Sequence, residues 1–159
     1  MEEVLPPQTQ EGAGFEPTTV RQFTVFLENR VGRLQSLVRA LEEEERRIIA
    51  LSVEELADTA LVRLIYSHAD SARQSLRAAG FAFGEMELLA VELPKRGRQS
   101  LVTLCSALLA AEINVHYLYP LLWPPSGSAV ALSVDDTVLA AQLLLKKNFR
   151  LIGESDLRK

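Results

Sequence analysis

Residues 22–34 read Gln-Phe-Thr-Val-Phe-Leu-Glu-Asn-Arg-Val-Gly-Arg-Leu. The first half of this stretch is typical of a strand, and apolar residues then recur at helical spacing from Leu34 to Leu41. A strand is therefore predicted to join a helix through a short loop that contains Asn29 and Gly32. Because the first backbone N–H groups of a helix have no partner within it, such a loop is suited to binding a carboxylate.

The rest of the chain alternates between the same two patterns. In the first half, strands are predicted at 23–28, 47–53, 59–66 and 81–83, and helices at 31–45 and 68–79. In the second half, strands are predicted at 87–93, 113–119, 129–134 and 149–152, and helices at 99–111 and 135–147. Gly80 and Asn148 are expected to end the helices that precede them, and Asp135 or Asp136 is expected to cap the last helix.

The two halves repeat each other. Leu34, Leu37, Val38 and Leu41 correspond to residues 67 positions later, which are Leu101, Leu104, Cys105 and Leu108. Gly80 corresponds to Asn148, 68 positions later. We therefore predict an α+β fold of two ferredoxin-like βαββαβ units, each with an antiparallel sheet and both helices on one face. The expected division is a flexible acidic tail at 1–19, a first unit at 20–85 and a second unit at 86–159.

Over residues 20–157 the chain resembles ACT domains, which are small regulatory modules that bind amino acids. More narrowly, it resembles free-standing tandem ACT proteins. Asn29, Gly32 and Leu34 match the loop pattern Asn-x-x-Gly-x-Leu, and the segments 51–55, 117–119 and 154–157 add to the likeness. The resemblance implies a small amino acid bound at the loop–helix junction between units. The contacts that it implies are Asn29, Arg30, Val31, Gly32, Arg33, Leu34 and Asn114.

Several of these residues have a second interpretation. Asn29 could instead be the N-cap of the helix, and Asn114 could make a hydrogen bond at a strand end. A Gly32→Asp substitution is expected to abolish binding and spare the fold, provided that Gly32 does not need a positive φ. The matching loop of the second unit, 93–101, departs from the pattern. It is interpreted as a solvated basic loop or, alternatively, as a site for a more anionic ligand.

The net charge of -4 at pH 7 is distributed unevenly. Residues 1–17 carry four glutamates and no basic residue, so the charges of the remaining residues balance. We therefore expect neither nucleic acid nor a membrane as a partner. The chain has no apolar run near the roughly 18 residues of a membrane span. Its one cysteine cannot form an intrachain disulfide, which suits a cytoplasmic protein.

The residue types and spacings do not indicate catalysis, a metal site or a cofactor. The sequence has no nucleophile motif and no phosphate-binding loop. His68 and His116 are isolated and are expected to be structural, and Cys105 is expected to be a buried core thiol. We therefore predict that the protein is not an enzyme, with an uncharacterised enzyme kept as a third hypothesis.

The predicted function is that of a cytoplasmic regulatory sensor that binds a small amino acid and is read by a regulated protein partner. The alternative is a protein–protein assembly module with a vestigial ligand site. Strands such as 61–65 are apolar on both faces and need cover from the other unit or from a second chain, so we predict a C2 homodimer. The apolar loop 121–127, with Trp123, is expected either to fold back on its own sheet or to cover a neighbouring subunit.

Overall fold

The computed structural model describes residues 14–94 and 100–159. Strands and helices alternate along these residues, and the helices lie outside the sheet. The strands are β1 (Val20–Glu28), β2 (Ile48–Glu55), β3 (Thr59–Tyr66), β4 (Ala82–Glu92), β5 (Val115–Pro120), β6 (Ala129–Val134) and β7 (Arg150–Ile152). The helices are α1 (Arg33–Leu41), α2 (Ala69–Ala78), α3 (Ser100–Ala110), α4 (Thr137–Lys146) and α5 (Glu154–Leu157).

The strands form one antiparallel sheet in the order β2-β3-β1-β4-β6-β5, and β7 also pairs with β4. The first unit contributes β2-β3-β1-β4, and the second contributes β7-β4-β6-β5. Both orders place the first and third strands of a unit in the centre, which is the ferredoxin-like arrangement. The predicted α+β fold of two βαββαβ units is confirmed.

The two units share one strand, where the sequence predicted two. Residues 82–88 of β4 pair with β1, and residues 89–92 pair with β6 and β7. Phe83, Leu89 and Val91 all pack on the helix side, so the period-2 alternation continues through the junction without a break. The expected division between residues 85 and 86 therefore lies inside β4.

Each unit buries a core between its sheet and its helices. Leu37, Leu41 and Leu76 are fully buried in the first unit, and the second unit buries Leu104, Leu108 and Leu144 at the repeated positions. The helix α1 ends at Leu41, earlier than predicted, and Glu42 is already extended. Four consecutive glutamates follow Leu41, and negative charge at a helix C-terminus opposes the helix dipole.

Each unit contributes one half of the sheet, which we call a half-sheet. The faces of the two half-sheets that point away from the helices pack on each other within the chain. This third core is apolar and draws on strands of both units; its larger members are Ile49, Ile65, Leu88, Tyr119, Leu121 and Ile152. Strands that are apolar on both faces thus find cover on both sides. The sheet face used to predict a homodimer is in large part covered by the second unit, so the dimer remains a prediction that needs another surface.

A buried polar bridge crosses this third core. The Gln22 side chain is fully buried; its Nε2 donates to the Tyr117 hydroxyl at 2.8 Å, and its Oε1 accepts from the Tyr119 hydroxyl at 2.6 Å. Burial raises the pKa of the Tyr119 phenol above its usual value, so the hydroxyl stays protonated and can donate. The bridge fixes β1 against β5, because a buried amide left without partners would be costly.

The helices α2 and α4 end in the same way, at the residues that the sequence predicted. Gly80 follows α2 with φ 77°, and Asn148 follows α4 with φ 64°. In each case the next residue, Phe81 or Phe149, donates its backbone N–H back to the last turn of the helix. Asp136 caps α4, since its Oδ1 accepts from the Leu139 N–H at 3.0 Å.

The loop between β5 and β6 folds against the first unit of its own chain. The backbone N–H groups of Leu122 and Trp123 both donate to the Ile49 carbonyl, at 2.7 and 3.3 Å. The Arg47 guanidinium lies 5.4 Å from the centre of the Trp123 ring. The side chains of Leu122 and Trp123 nevertheless remain about half exposed.

The structure overturns one expectation about a single residue. Cys105 is exposed, so the predicted buried core thiol is wrong. The helix α3 turns Leu104, Ala107 and Leu108 toward the sheet, which leaves the cysteine on the outer side. The N-terminal tail was expected to be flexible as far as residue 19; within its described part, Phe15 packs against the core of the second unit.

Candidate functional site

The loop between β1 and α1 brings a helix N-terminus to the surface. Gly32 is the N-cap residue of α1 and lies in the left-handed region, with φ 88°. It has no side chain to accept from the first-turn N–H groups, and no side-chain cap is present. The loop therefore places weakly positive helix-terminal donors beside the end of β1.

The left-handed backbone at Gly32 changes one expectation. The Gly32→Asp substitution assumed that this glycine does not need a positive φ, and that assumption is wrong. A Cβ at this position would meet open space, but any L-residue would be strained there. Gly32 is consequently required by the backbone, and its substitution cannot test ligand binding cleanly.

The Asn29 side chain joins the loop to the end of β2. Its Nδ2 donates to Glu55 Oε1 at 3.0 Å. The N-cap interpretation of Asn29 is wrong, because Gly32 occupies that position. Beside it, Arg30 Nε forms an ion pair with Glu28 Oε2 at 2.8 Å, with both side chains largely exposed.

These residues surround a cavity of about 250 Å³. Its polar wall has both signs of charge, and its apolar wall is made by aliphatic side chains. The lining residues are Leu27, Glu28, Asn29, Arg30, Arg33, Leu34, Val53, Glu55 and Ala60. The volume is below the roughly 300–1,000 Å³ typical of pockets for drug-sized molecules. A zwitterion with a short apolar substituent matches both the size and the lining.

Arg33 has an unusual environment in this cavity wall. Its guanidinium lies 5.0 Å from the centre of the Phe81 ring. Its Nε is buried and has no hydrogen-bond partner among the described residues. A buried donor without an acceptor is uncommon in folded proteins and requires an explanation. Arg33 also lines the cavity, so its guanidinium is available to a carboxylate there.

The predicted site residues do not all lie together. Asn29, Arg30, Arg33 and Leu34 line the cavity, whereas Val31 is fully exposed and Gly32 does not line it. Asn114 precedes β5 in the second unit, and its backbone exchanges two hydrogen bonds with Asp135 at 3.1 Å. It does not line this cavity. The basic loop of the second unit falls largely outside the described residues, since 95–99 are not described.

Sequence reasoning missed the far wall of the cavity. Val53 and Glu55 belong to the end of β2, which extends beyond the predicted strand end, and Ala60 belongs to β3. The strand was predicted to end at residue 53, yet Glu54 and Glu55 still pair with β3. The sequence did give one indication of this wall, since the segment 51–55 is part of the family resemblance.

The described residues also form two smaller cavities with charges of both signs, about 160 Å³ beside Arg47 and Asp156 and about 190 Å³ beside Glu92 and Arg150. Within 14–94 and 100–159, no group of three His, Cys, Asp or Glu residues could hold a metal ion. No described helix is long and apolar enough to cross a membrane. A larger cavity, about 430 Å³, lies along α4 beside Phe15, and its lining is mainly apolar without an acidic group. It lacks the paired charges of the cavity near Arg33.

An ion cluster ties the units together at the other end of β1. Arg21 of β1 makes two side-chain bonds to Glu154 of α5, from Nε at 2.8 Å and from Nη2 at 3.1 Å. It also donates from Nη1 to Asp70 at 2.8 Å. The hydrogen bonds from Arg21 hold the pKa of Glu154 below its usual range. The strand β1 thus connects the cavity at its C-terminal end to contacts between units at its N-terminal end.

The chain shares its architecture with known structures. Protein BT0572 from Bacteroides thetaiotaomicron is 26% identical, with a TM-score of 0.79 over 90% of this chain and 98% of that chain. The ligand-free regulatory subunit of aspartate kinase from Thermus thermophilus is 9% identical, with a TM-score of 0.56 over 82% of this chain and 93% of that chain. At that identity, the second likeness shows the fold alone.

A family model also covers nearly all of the described chain. The model described as an ACT domain pair matches residues 18–159. No curated protein matches the sequence. The match extends over both βαββαβ units and so includes the β1–α1 loop and the shared strand β4.

Proposed function

Since the chain belongs to the family of ACT domain pairs, we propose that it is a non-catalytic regulatory protein that binds a small amino acid in the cavity beside Arg33. ACT domains are regulatory domains. What we propose beyond this is the ligand and the position where it binds. The observation that carries it is a small cavity whose lining combines Arg30 and Arg33 with Glu28 and Glu55 beside an aliphatic wall.

The charges around the cavity are complementary to a zwitterion. Arg30 and Arg33 supply donors for a carboxylate, and Glu28 and Glu55 supply acceptors for an ammonium group. Leu27, Val53 and Ala60 provide an apolar wall for a short side chain. Charge of both signs favours an amino acid over a simple anion, which would be repelled by the two glutamates.

Two strands connect this cavity to the contacts between the units. The strand β1 runs from Arg21 and Gln22 to Glu28, and β2 runs from Ile49 to Glu55. A ligand that orders the cavity end of both strands would favour one arrangement of the units over others. Occupancy then shifts a population that a regulated protein partner reads, to the extent that the ligand binds one arrangement more tightly.

Calorimetry with ligand-free protein and each of the twenty amino acids tests the proposal. We expect at least one small apolar amino acid to bind with a Kd of about 1 mM or tighter. A complete absence of heat at millimolar concentrations, for protein shown to be folded and free of ligand, contradicts it.

Two arginines on the same helix provide a matched pair of variants. Arg33→Gln removes the proposed carboxylate partner, and Arg39→Gln removes an exposed charge outside the cavity. A charge-assisted hydrogen bond contributes about 1.5–3 kcal/mol, so Arg33→Gln should weaken binding by about tenfold to a hundredfold. Arg39→Gln should leave the affinity unchanged, and equal losses in both variants would place the ligand elsewhere.

The second candidate function is an assembly module whose ligand site is vestigial. The exposed apolar helices of the second unit favour it, because such surfaces commonly mark protein interfaces. A pull-down that returns one stoichiometric partner, regardless of any amino acid, supports this candidate. For either candidate function we also propose that the protein forms a homodimer and is located in the cytoplasm.

A further inference from the structure

Neighbouring residues at the end of β2 face opposite sides of the sheet. Glu55 lines the cavity beside Arg33 and accepts a hydrogen bond from Asn29 Nδ2 at 3.0 Å. Because successive side chains of a strand alternate between its two faces, Glu54 points away from the cavity. Its Oε2 accepts from Arg63 Nη1 of β3 at 3.1 Å. The wall of the cavity is therefore one residue away from a contact on the other face of the sheet.

Arg63 extends this contact into the second unit. Its guanidinium lies 4.1 Å from the centre of the Tyr117 ring, which belongs to β5. That distance is within the roughly 6 Å at which an aromatic face attracts a cation. The Tyr117 hydroxyl accepts from Gln22 Nε2 at 2.8 Å, so the ring is held by β3 and its hydroxyl by β1. The Arg63 side chain is only 19% exposed, which limits its competition with water.

Two other contacts of arginines between the units lie farther from the cavity. Arg47 precedes the first residue of β2, and its guanidinium lies 5.4 Å from the centre of the Trp123 ring. Arg21 binds Glu154 near the start of β1. The cavity lies at the opposite ends of both strands. The Arg63 contact differs from these two, because its carboxylate partner is adjacent in sequence to a residue of the cavity wall.

The end of β2 has room to respond to a ligand. The strand β2 is the outermost strand of its half-sheet, and residues 51–55 pair with β3 on one side. Val53 is 50% exposed, and the Glu54 side chain is 52% exposed. An ion pair in contact with water gains little, because holding two long side chains in one geometry costs conformational entropy. We therefore expect the Glu54–Arg63 pair to open and close while the cavity is empty.

We propose that a bound amino acid favours the closed arrangement, in which Arg63 contacts both Glu54 and Tyr117, and that this contact couples the cavity to the second unit. The inference rests on the proposed function and adds the regulation of the same site. An ammonium group bound to Glu55 fixes the backbone at the end of β2. Part of the entropy cost of the Glu54–Arg63 pair is then already met, and the paired guanidinium stays over the Tyr117 ring.

Coupling of this kind is reciprocal. If a bound amino acid stabilises the Arg63 contact by some factor, loss of the contact weakens amino-acid binding by the same factor. Neither Arg63 nor Tyr117 lines the cavity, so a lower affinity in their variants is not the loss of a direct ligand contact. Arg63 is accordingly a positioning residue. We expect a factor of about five, at the lower end of the usual range, because Glu54 is half exposed.

Calorimetry of the full chain with L-alanine, L-valine and each other amino acid that the wild type binds tests the inference. Arg63→Gln and Tyr117→Leu should each raise the Kd about fivefold. The double variant should bind no more weakly than either single variant, because both substitutions remove one contact. Tyr117→Phe keeps the ring and should bind like the wild type. Arg47→Gln is the matched control, since it removes a contact between the units at the far end of β2 and should leave the Kd unchanged.

Hydrogen exchange gives a readout that a purely structural role of Arg63 would not change. A saturating amino acid should slow the exchange of the amides of residues 115–119 about fivefold in the wild type and in Arg47→Gln. It should leave these amides unchanged in Arg63→Gln. Circular dichroism shows whether each variant is folded. Arg63→Lys keeps the charge and should retain part of the coupling, and it replaces Arg63→Gln if that variant does not fold.

Several results would overturn the inference while the wild type still binds an amino acid and the proposed function stands. They are wild-type affinity in both Arg63→Gln and Tyr117→Leu, additive losses in the double variant, or an equal loss in Arg47→Gln. A loss in Tyr117→Phe as large as that in Tyr117→Leu would assign the coupling to the bridge from Gln22 and would also overturn it. If the wild type binds none of the twenty amino acids, the proposed function fails, and this inference fails with it.

Discussion

The helical layers of the two units occupy equivalent positions, but their outer surfaces differ in polarity. Both turn a row of leucines toward the sheet, with Leu37 and Leu41 in α1 and Leu104 and Leu108 in α3. On the outside, α1 carries Arg39 in its last turn, whereas α3 has Leu109 at 76% exposure. The repeat preserves what the backbone needs for packing. The outer surface is under no such constraint, so each unit can be specialised there for a different contact.

The largest expected effect tests whether the two cores are also energetically equivalent. Leu37→Ala and Leu104→Ala remove fully buried leucines 67 residues apart. Each should lower the free energy of unfolding by about 2–5 kcal/mol, because truncation loses transfer free energy and leaves a cavity. Urea unfolding, followed by circular dichroism and by the fluorescence of Trp123, measures both values.

The shared strand β4 and the core between the half-sheets predict a single transition for both variants. Leu109→Ala is the control at an exposed position of α3, and it should change stability by less than about 0.5 kcal/mol. Two separate transitions, each sensitive to only one of the two buried substitutions, would mean that the units fold independently.

The next effect concerns the ion cluster between the units. Glu154→Gln should lower the free energy of unfolding by about 1–2 kcal/mol at pH 7, because it weakens charge-assisted bonds to Arg21 that are only partly screened. Since the pKa of Glu154 is depressed in the folded state, its contribution is present above its ordinary value of 4.5. It is lost as the pH falls through the folded-state pKa.

The difference in stability between wild type and Glu154→Gln should therefore be largest near neutral pH and shrink below about pH 4.5. Urea titrations from pH 7 down to about pH 3 measure it. Glu45→Gln removes an exposed glutamate that has no ion pair within the described residues, and it serves as the control. A difference that grew on acidification would show that Glu154 is not stabilised by Arg21.

The smallest expected effect concerns the residues that end α2 and α4. Gly80 and Asn148 both lie in the left-handed region, and Asn tolerates that region better than most residues with a side chain. Gly80→Asn and Asn148→Gly should each shift stability by less than about 1 kcal/mol. Alanine at either position should cost about 1–2 kcal/mol, as thermal unfolding would show. If alanine were harmless at Asn148, the last turn of α4 would be loose enough to abandon the left-handed cap.

The sequence predicted most of the fold because the relevant signals are local. Alternation and helical spacing identified the strands and the four long helices, and Gly80, Asp136 and Asn148 marked helix ends through chemistry confined to one turn. The candidate site was predicted in part. Asn29, Arg30, Arg33 and Leu34 lie next to one another in sequence, and they line the cavity together.

The far wall of the cavity was not predictable in the same way. Glu55 is 26 residues from Asn29, and the two meet only because β2 and β1 flank β3 in the sheet. The merger of two predicted strands into β4 is a similar case. Gly84 and Met86 have weak local preference for a strand, and their pairing with β1 decides the conformation.

By itself the sequence determined the two βαββαβ units, their caps and the position of the β1–α1 loop, because periodicity and capping depend on residues within a few positions of each other. Only the tertiary structure decided which faces were covered. The half-sheets bury Tyr119 and Ile65 against each other within one chain, while Cys105 and Leu109 remain in solvent. The physical reason is that burial depends on which surfaces meet, and an apolar residue has the same local signal whether its partner is another strand, another chain or water.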